Sequence, residues 1–493
     1  MNTNNRYLTD ETPDFKKLTP INGFDVDNPD NAMQNSYAWS MGELGDYLYV
    51  GTGRNLAYQM YQGLQMAFGL PIPSIFIPER MNMNPEIWRY KKDGSEPWRK
   101  VYQTPPDLGL SGLRYMIRYT TPTGETALYA GSFKTGQPGV YLFKTEDGLN
   151  WRPLNPAIMS GNSTRSIVNH QGKLYMSVIK SDQDMSGAYL YESEDPERDG
   201  WRQIDLDGTP GQNPSGGITT MLSYNSRLYL AVASPDGFEL WRSIGTVPAK
   251  DQWKLVVDRG AGDAANQVPL TIGLFKDRIY VGTAIISGVA SIDPNRRFSL
   301  PKGFDLVRVN RDDQWEVVIG GPPIIPTQPT TGTRSDPLSG QPSGFGNLFN
   351  AYCWQLRPYR EQLYLGTFDM GVSYPPLLQS LADKYQSQIP YNLQNYGNLL
   401  EAYIKFLYRD NGLFQMLPWG QFGGNFLQKF TESFGFDLWR STEGLIWTPV
   451  SLDGLGNPYN YGARNLYVTD ENRLYLGTAN PFQGCEVWTD SCI

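Results

Sequence analysis

LYVGT, residues 48–52, decides the fold of this chain because it keeps returning: LYAGS (128–132), LYMSV (174–178), LYLAV (228–232), IYVGT (279–283), LYLGT (363–367) and LYLGT (474–478). A second phrase follows each one: EIWRY (86–90), VYLFKT (140–145), AYLYES (188–193), FELWRS (238–243), FDLVRV (304–309), FDLWRS (436–441) and CEVWTD (485–490). A turn and a further aromatic come next, at Trp98, Trp151, Trp201, Trp253, Trp315 and Trp447. Before each Leu-Tyr phrase lies another short apolar stretch, such as SYAWSMGEL (36–44), ITTMLSY (218–224) or AYCWQL (351–356).

Apolar and polar residues alternate with period two, and Tyr, Trp, Leu and Val dominate, which is the pattern of strands. Four strands repeated seven times predict an all-β fold, a seven-bladed β-propeller, in which radial repetition leaves only short sheet edges. The last unit reaches Trp488 without a fourth strand. Asp14 to Leu18 carries the fourth-strand pattern, so the N-terminal strand is expected to complete the last blade. Residues 1–493 then form a single propeller. Two insertions, 55–84 in the first blade and 371–434 in the sixth, leave from one face and are expected to cap it.

Composition narrows the function. The formal charge of −8 argues against nucleic acid or an anionic membrane as the partner. The polar start, Met1 to Phe15, has no apolar signal run and no segment is long enough to span a bilayer, which predicts a cytoplasmic protein. Cys353, Cys485 and Cys492 have no metal-ligand spacing and read as free thiols. His170, the single histidine, lies in the turn Asn169-His170-Gln171-Gly172 and reads as solvated. It excludes a multi-histidine metal site and an ordinary Ser-His-Asp triad. Any chemistry must run on Asp, Glu, Tyr, Arg or Lys.

In a propeller the ends of second strands and the starts of first strands share one face near the central channel. Those positions place Arg54, Asn55, Arg114, Arg165, Tyr352, Asp369 and Arg464 around one mouth. Arginines there either satisfy groups between blades or hold an anion, a leaving group or a phenolate, since a guanidinium offers five fixed donors and stays charged. The insertions are apolar and aromatic, with Tyr58, Met60, Met66, Phe68, Ile75 and Phe76 in the first and Tyr403, Phe406, Phe414 and Trp419 in the second. They are expected to form a dry lid, with Phe68 and Trp419 touching an amphiphilic small-molecule substrate.

GTGRN (51–55) followed by a lid, GTFD (366–369) followed by a helical lid, and the ELWRS-type strands together resemble the cyanobacterial alkylating enzymes of the cylindrocyclophane type. The resemblance implies a Friedel-Crafts-type alkylation of a resorcinol carbon by a secondary alkyl chloride in natural-product biosynthesis. Relatives use carboxylates as nucleophiles. It assigns the catalytic Asp to Asp369, the GTGR arginine to Arg54 and the catalytic Tyr to Tyr403, with Tyr374, Tyr396 and Tyr408 as rivals. The family's characterised enzyme joins its propeller to a calcium-binding repeat domain. No GGxGxD run occurs here, so no cofactor is called for by the residues, and calcium rests on the resemblance alone.

In that chemistry Asp369 takes the phenolic proton while Arg54 and a Tyr hydroxyl hold the departing chloride. Full proton transfer from a phenol near 10 to a carboxylate near 4 is uphill by roughly 8 kcal/mol, so burial must raise the Asp pKa or transfer must accompany bond formation. Two other readings stand beside it. One is a non-catalytic propeller that binds a small amphiphile or a protein on the lidded face. The other is a sialidase-like glycosidase, suggested by the turns at Thr145–Trp151 and Ser441–Trp447, which depart from the Asp-box spacing. The electrophile, the nucleophile and the oligomeric state stay open.

Overall fold

The computed structural model describes residues 15–69, 71–73, 75–134, 139–154, 160–181, 184–285, 289–291, 299–373 and 434–490, the side chains of Ala67, Phe68 and 289–301 excepted. The insertion 374–433, with Tyr403 and Trp419 and the rival tyrosines, lies outside the described residues, as do the Phe68 side chain and Cys492.

The fold is all-β and propeller-like. Strands Asn35–Leu44, Tyr47–Arg54, Glu86–Lys91 and Arg99–Gln103 pair antiparallel in chain order. The same meander recurs over 110–154, 163–204, 218–257, 268–319 and 350–451. In the last unit, Gly462–Val468, Leu474–Ala479 and Val487–Asp490 are joined by Phe15–Lys17 from the other end of the chain, with Phe15 opposite Asp490 and Lys17 opposite Trp488. Each first strand touches the first strand of the next unit, and Gly462–Val468 touches Asn35–Leu44.

The repeated Gly-Thr phrase has a physical reason in both of its residues. The glycine lets neighbouring units approach: a Cβ on Gly366 would lie 2.4 Å from the Ala463 Cβ, and one on Gly477 2.7 Å from the Ala38 Cβ. The threonine hydroxyl accepts the backbone N–H at the start of its own third strand, from Glu86 to Thr52 (2.9 Å), Asp305 to Thr283 (2.8 Å), Asp437 to Thr367 (2.8 Å) and Glu486 to Thr478 (2.8 Å). An asparagine at the root of the first strand completes the knot by donating to the same acid: Asn35 to Glu86 (3.0 Å), Asn266 to Asp305 (2.9 Å), Asn350 to Asp437 (2.6 Å) and Asn460 to Glu486 (2.7 Å). These groups are buried, and pairing them all avoids the cost of stranded polar atoms.

His170 is buried, which corrects the reading of it as a solvated turn residue. Its Nε2 lies 2.7 Å from the Thr246 carbonyl and its Nδ1 2.9 Å from the Ser223 hydroxyl. A carbonyl only accepts, so Nε2 carries the proton and Nδ1 accepts from Ser223. The loop of the next unit covers the turn, and burial holds the imidazole below its ordinary pKa.

Candidate functional site

Helix Leu56–Phe68 opens the first insertion. Asn55 precedes it in the left-handed region (φ 50°), where asparagine is tolerated. Its amide donates to Gln34 Oε1 (2.9 Å) and to the Asn82 carbonyl (3.0 Å), so it ties the two ends of the insertion together. Tyr58, Tyr61 and Phe76 turn inward and join Phe368, Val372, Phe434, Tyr461 and Phe482 in one apolar cluster. The first insertion therefore packs against the root of the second. Met60, Met66 and Ile75 point outward instead, contrary to the expectation that they line a dry enclosure. A helix can turn only one stripe to the core, and here Tyr58 and Tyr61 occupy it.

Arg54 and Asp369 end equivalent strands, opposite Asn35 and Asn350 respectively. Arg54 is fully buried. Its Nε donates to the Asn82 carbonyl (2.9 Å), its terminal nitrogens to Asn35 (2.8 Å) and Asn31 (2.8 Å), and it pairs with Glu86 at 3.2 Å. It does not line the central cavity, and neither does Asp369. The expectation that Arg54 faces the channel mouth is thus corrected: all three of its nitrogens are engaged in closing the first insertion and neutralising Glu86.

Asp369 likewise closes its insertion. One carboxylate oxygen accepts from the Gly371 N–H (2.7 Å) and the other from the Gly435 N–H (3.2 Å), the two ends of the excursion. Unlike Arg54, it brings charge to a buried acid of the same sign. Burial, with the neighbouring Asp437 carboxylate adding to it, pushes the Asp369 pKa up to about 8 against the pull of those two donors. Burial also raises Asp437, to about 6. Among the described residues no ion pair reaches either one. Three of the corresponding acids elsewhere are neutralised, Glu86 by Arg54 and Lys100, Asp305 by Lys302 and Arg334, and Glu486 by Lys17, whereas Glu239 meets no cation among the described residues.

Beside Asp369, the Phe368 ring stacks on Tyr352 (4.5 Å between centroids) and meets Trp354 (5.1 Å) and Tyr461 (4.8 Å) edge-on. The Tyr461 hydroxyl bonds to that of Tyr37. Below this aromatic layer lies a central cavity of about 450 Å³. Arg114, Arg165 and Arg464 line it together with Trp39 and Trp354, whereas Asn55 and Tyr352, placed around the same mouth by sequence, do not. The structure thus separates two groups that sequence reasoning had merged: a buried carboxyl pair at the root of the second insertion and an arginine-lined channel. Asp437, absent from the sequence-based candidates, has a signal in the recurring acid two residues before a Trp, as in Glu86, Glu239 and Glu486.

No family model matches this chain and no curated protein matches it. Among solved structures it is similar to the GH74 xyloglucanase of Xanthomonas campestris, at 12% identity and a TM-score of 0.45, over 95% of this chain and 52% of that one. The chain thus spans about half of the xyloglucanase chain. It is also similar to the computationally designed protein Ika8, at 7% identity and a TM-score of 0.37, over 92% of this chain and 96% of that one. The GH43_1 enzyme from Xanthomonas citri, complexed with xylose, aligns at 12% identity and a TM-score of 0.29, over 56% of this chain and 86% of that one. At these values no activity carries over.

Proposed function

We propose that the chain is a seven-bladed propeller, closed by its N-terminal strand, that alkylates a phenolic carbon with a secondary alkyl chloride, and that Asp369 is the proton acceptor. The observation that carries the reading is the Asp369 carboxyl, raised to about 8 beneath an aromatic and apolar cluster. Against a phenol near 10, proton transfer to such a group is uphill by only ~3 kcal/mol, where an ordinary Asp would face ~8. A base tuned toward its substrate is what general-base catalysis requires.

The phenolic O–H proton passes to the Asp369 carboxylate as the ring carbon attacks the carbon bearing chlorine. The C–C bond forms, the C–Cl bond breaks and chloride leaves with the electron pair. The resulting dienone loses its ring C–H proton and regains the phenol O–H, and Asp369 returns its proton to water. Arg54 serves here as a positioning residue that fixes the first insertion. Tyr403 remains the tyrosine assigned by resemblance.

Incubation with a 5-alkylresorcinol and a secondary alkyl chloride tests the reading by product mass and chloride release. Coupled product with equimolar chloride, lost in Asp369→Asn, is expected. Chloride without coupled product means hydrolysis and overturns the coupling. Binding without turnover leaves the lidded face as a binding surface.

A further inference from the structure

The first insertion is apolar on both of its sides. From Asn55 to Pro78 it carries no Asp, Glu, Lys, Arg or His, in a protein whose residues are 19% charged. Its helix, Leu56–Phe68, turns Ala57, Tyr58 and Tyr61 into the cluster shared with Phe368 and Phe434. Further along, Phe76 is buried against Tyr58 (6.0 Å between ring centroids) and Tyr61 (5.7 Å), while its two neighbours turn the other way. The aromatics thus fill the inner side, and the outer side keeps its apolar groups in water: Met60 is 46% exposed, Met66 84%, Ile75 44% and Ile77 40%.

These four side chains expose about 400 Å² of apolar surface, a scale at which a patch on a monomer is often functional. A stable protein partner takes roughly 800 Å² on each side, ringed by polar groups that fix its orientation. The insertion offers about half of that area, and the helix residues between Met60 and Met66 include only uncharged polar side chains, Gln62 and Gln65. The first charged residues after it, Glu79 and Arg80, are of opposite sign, and Arg80 pairs with Asp30 at 3.3 Å. This stretch therefore lacks the run of Lys and Arg that holds a protein to anionic lipid.

A bilayer interface sets no such threshold of area or orientation. Apolar side chains enter the boundary between headgroups and acyl chains, and affinity grows with the apolar area they bury. Methionine suits that boundary, being flexible and polarizable. The helix has 13 residues, short of the ~20 that cross a bilayer, so it lies in the interface and does not span it.

We infer that the outer side of the first insertion, Met60, Met66, Ile75 and Ile77, docks on the surface of a zwitterionic lipid bilayer. The net charge of −8 fits that choice, because it opposes approach to an anionic surface. The docking rests on the first insertion alone and is independent of the Asp369 chemistry.

Co-sedimentation of the full chain with phosphatidylcholine vesicles tests the inference. Binding should be half-complete between about 0.1 and 1 mM lipid. It should be unchanged in about 0.5 M NaCl, where charges are screened within a few ångström. Met66→Asp and Ile75→Asp, each checked for an unchanged melting profile, should each weaken binding by about tenfold, the scale of one partly buried apolar side chain. Met66→Leu should retain it. If Ile75→Asp disturbs the fold, Met66→Asp decides alone, since Met66 is the most exposed of the four. No sedimentation with about 1 mM lipid, binding that requires phosphatidylserine or is lost in salt, or binding unchanged in Met66→Asp would each overturn it. So would a dimer in sedimentation velocity that Met66→Asp dissociates, because a second copy would then cover the patch.

Discussion

Replacing Asp369 by Asn should change how stability depends on pH, and the change can be worked out from the structure. In the folded protein the carboxyl has a pKa of about 8, whereas in the unfolded chain it returns to roughly 3.9. Between these values the folded state keeps a proton that the unfolded state has released. The site's favourable contribution is therefore whole below about pH 4, shrinks by ~1.4 kcal/mol per pH unit above it and is gone above about pH 8. The total is ~6 kcal/mol.

Asp437, at about 6, falls in the same direction but only over the lower part of that window. His170, held below its ordinary value, acts in the opposite direction and only below its unfolded pKa of roughly 6.5. The interval from about pH 6.5 to 8 thus isolates Asp369, and there the wild type should lose ~2 kcal/mol. Asp369→Asn cannot ionise and should stay nearly flat across the interval. It places an amide NH₂ against the N–H of Gly371 or Gly435, which costs ~1–2 kcal/mol for a lost hydrogen bond. The variant is then less stable than wild type near pH 4 and more stable near pH 8. Urea unfolding in half-unit steps of pH reads the two curves. A wild-type curve that is flat or rising between about pH 6.5 and 8, or an equal fall in the variant, would refute the assignment of a buried neutral carboxyl to Asp369.

Three further outcomes follow from the packing. Arg54→Met strips Glu86 of its buried partner and should cost ~3–5 kcal/mol in urea unfolding; Arg54→Lys, which reaches Glu86 but cannot also bridge Asn31, Asn35 and Asn82, should fall between. Gly366→Ala pushes a Cβ to 2.4 Å from the Ala463 Cβ and should lower stability by ~1–3 kcal/mol, read as a drop in melting temperature. His170→Ala leaves the Ser223 hydroxyl and the Thr246 carbonyl without their partner, at ~1–3 kcal/mol, while turnover per folded molecule should match wild type.

Much of the architecture was readable because it is repeated. Period-two alternation marked the strands, and the missing fourth strand after Trp488 pointed to Phe15–Lys17, which does pair with Val487–Asp490. The function of Gly-Thr was not readable, since it depends on an adjacent unit and on a strand many residues later. His170 was misread because turn residues are usually solvated, and nothing local announces that the Thr246 loop covers it. The arginines of the channel were readable as strand-start residues, but the bulges that aim them, where the register skips between Leu113 and Tyr115, Thr164 and Ser166, and Ala463 and Asn465, were not. A bulge adds one residue to one strand, and alternation on either side of it looks unbroken. Arg54 was grouped with Arg114, Arg165 and Arg464 by position alone, yet it belongs to a different layer because Glu86 draws its guanidinium into the sheet's root.

The comparison of Arg54 with Asp369 says where this repeated scaffold departs from its own rule. In three knots the buried acid meets a cation, and in the first of them the cation is the residue that ends the second strand, Arg54. In the unit 350–451 that same position holds Asp369, so the acid of the knot, Asp437, gains a second acid in place of a counter-ion. Glu239, the counterpart in 218–257, also lacks a cation among the described residues, but it is half-buried and no second acid ends its second strand. The exchange of Arg for Asp removes a stabilising pair and installs a carboxyl that favours the proton. Repeats stabilise a fold by making the same contacts in each copy. A copy that forgoes the contact at a cost of several kcal/mol, at the position where the chain enters the longer of two insertions, is where strain in the service of chemistry is to be sought.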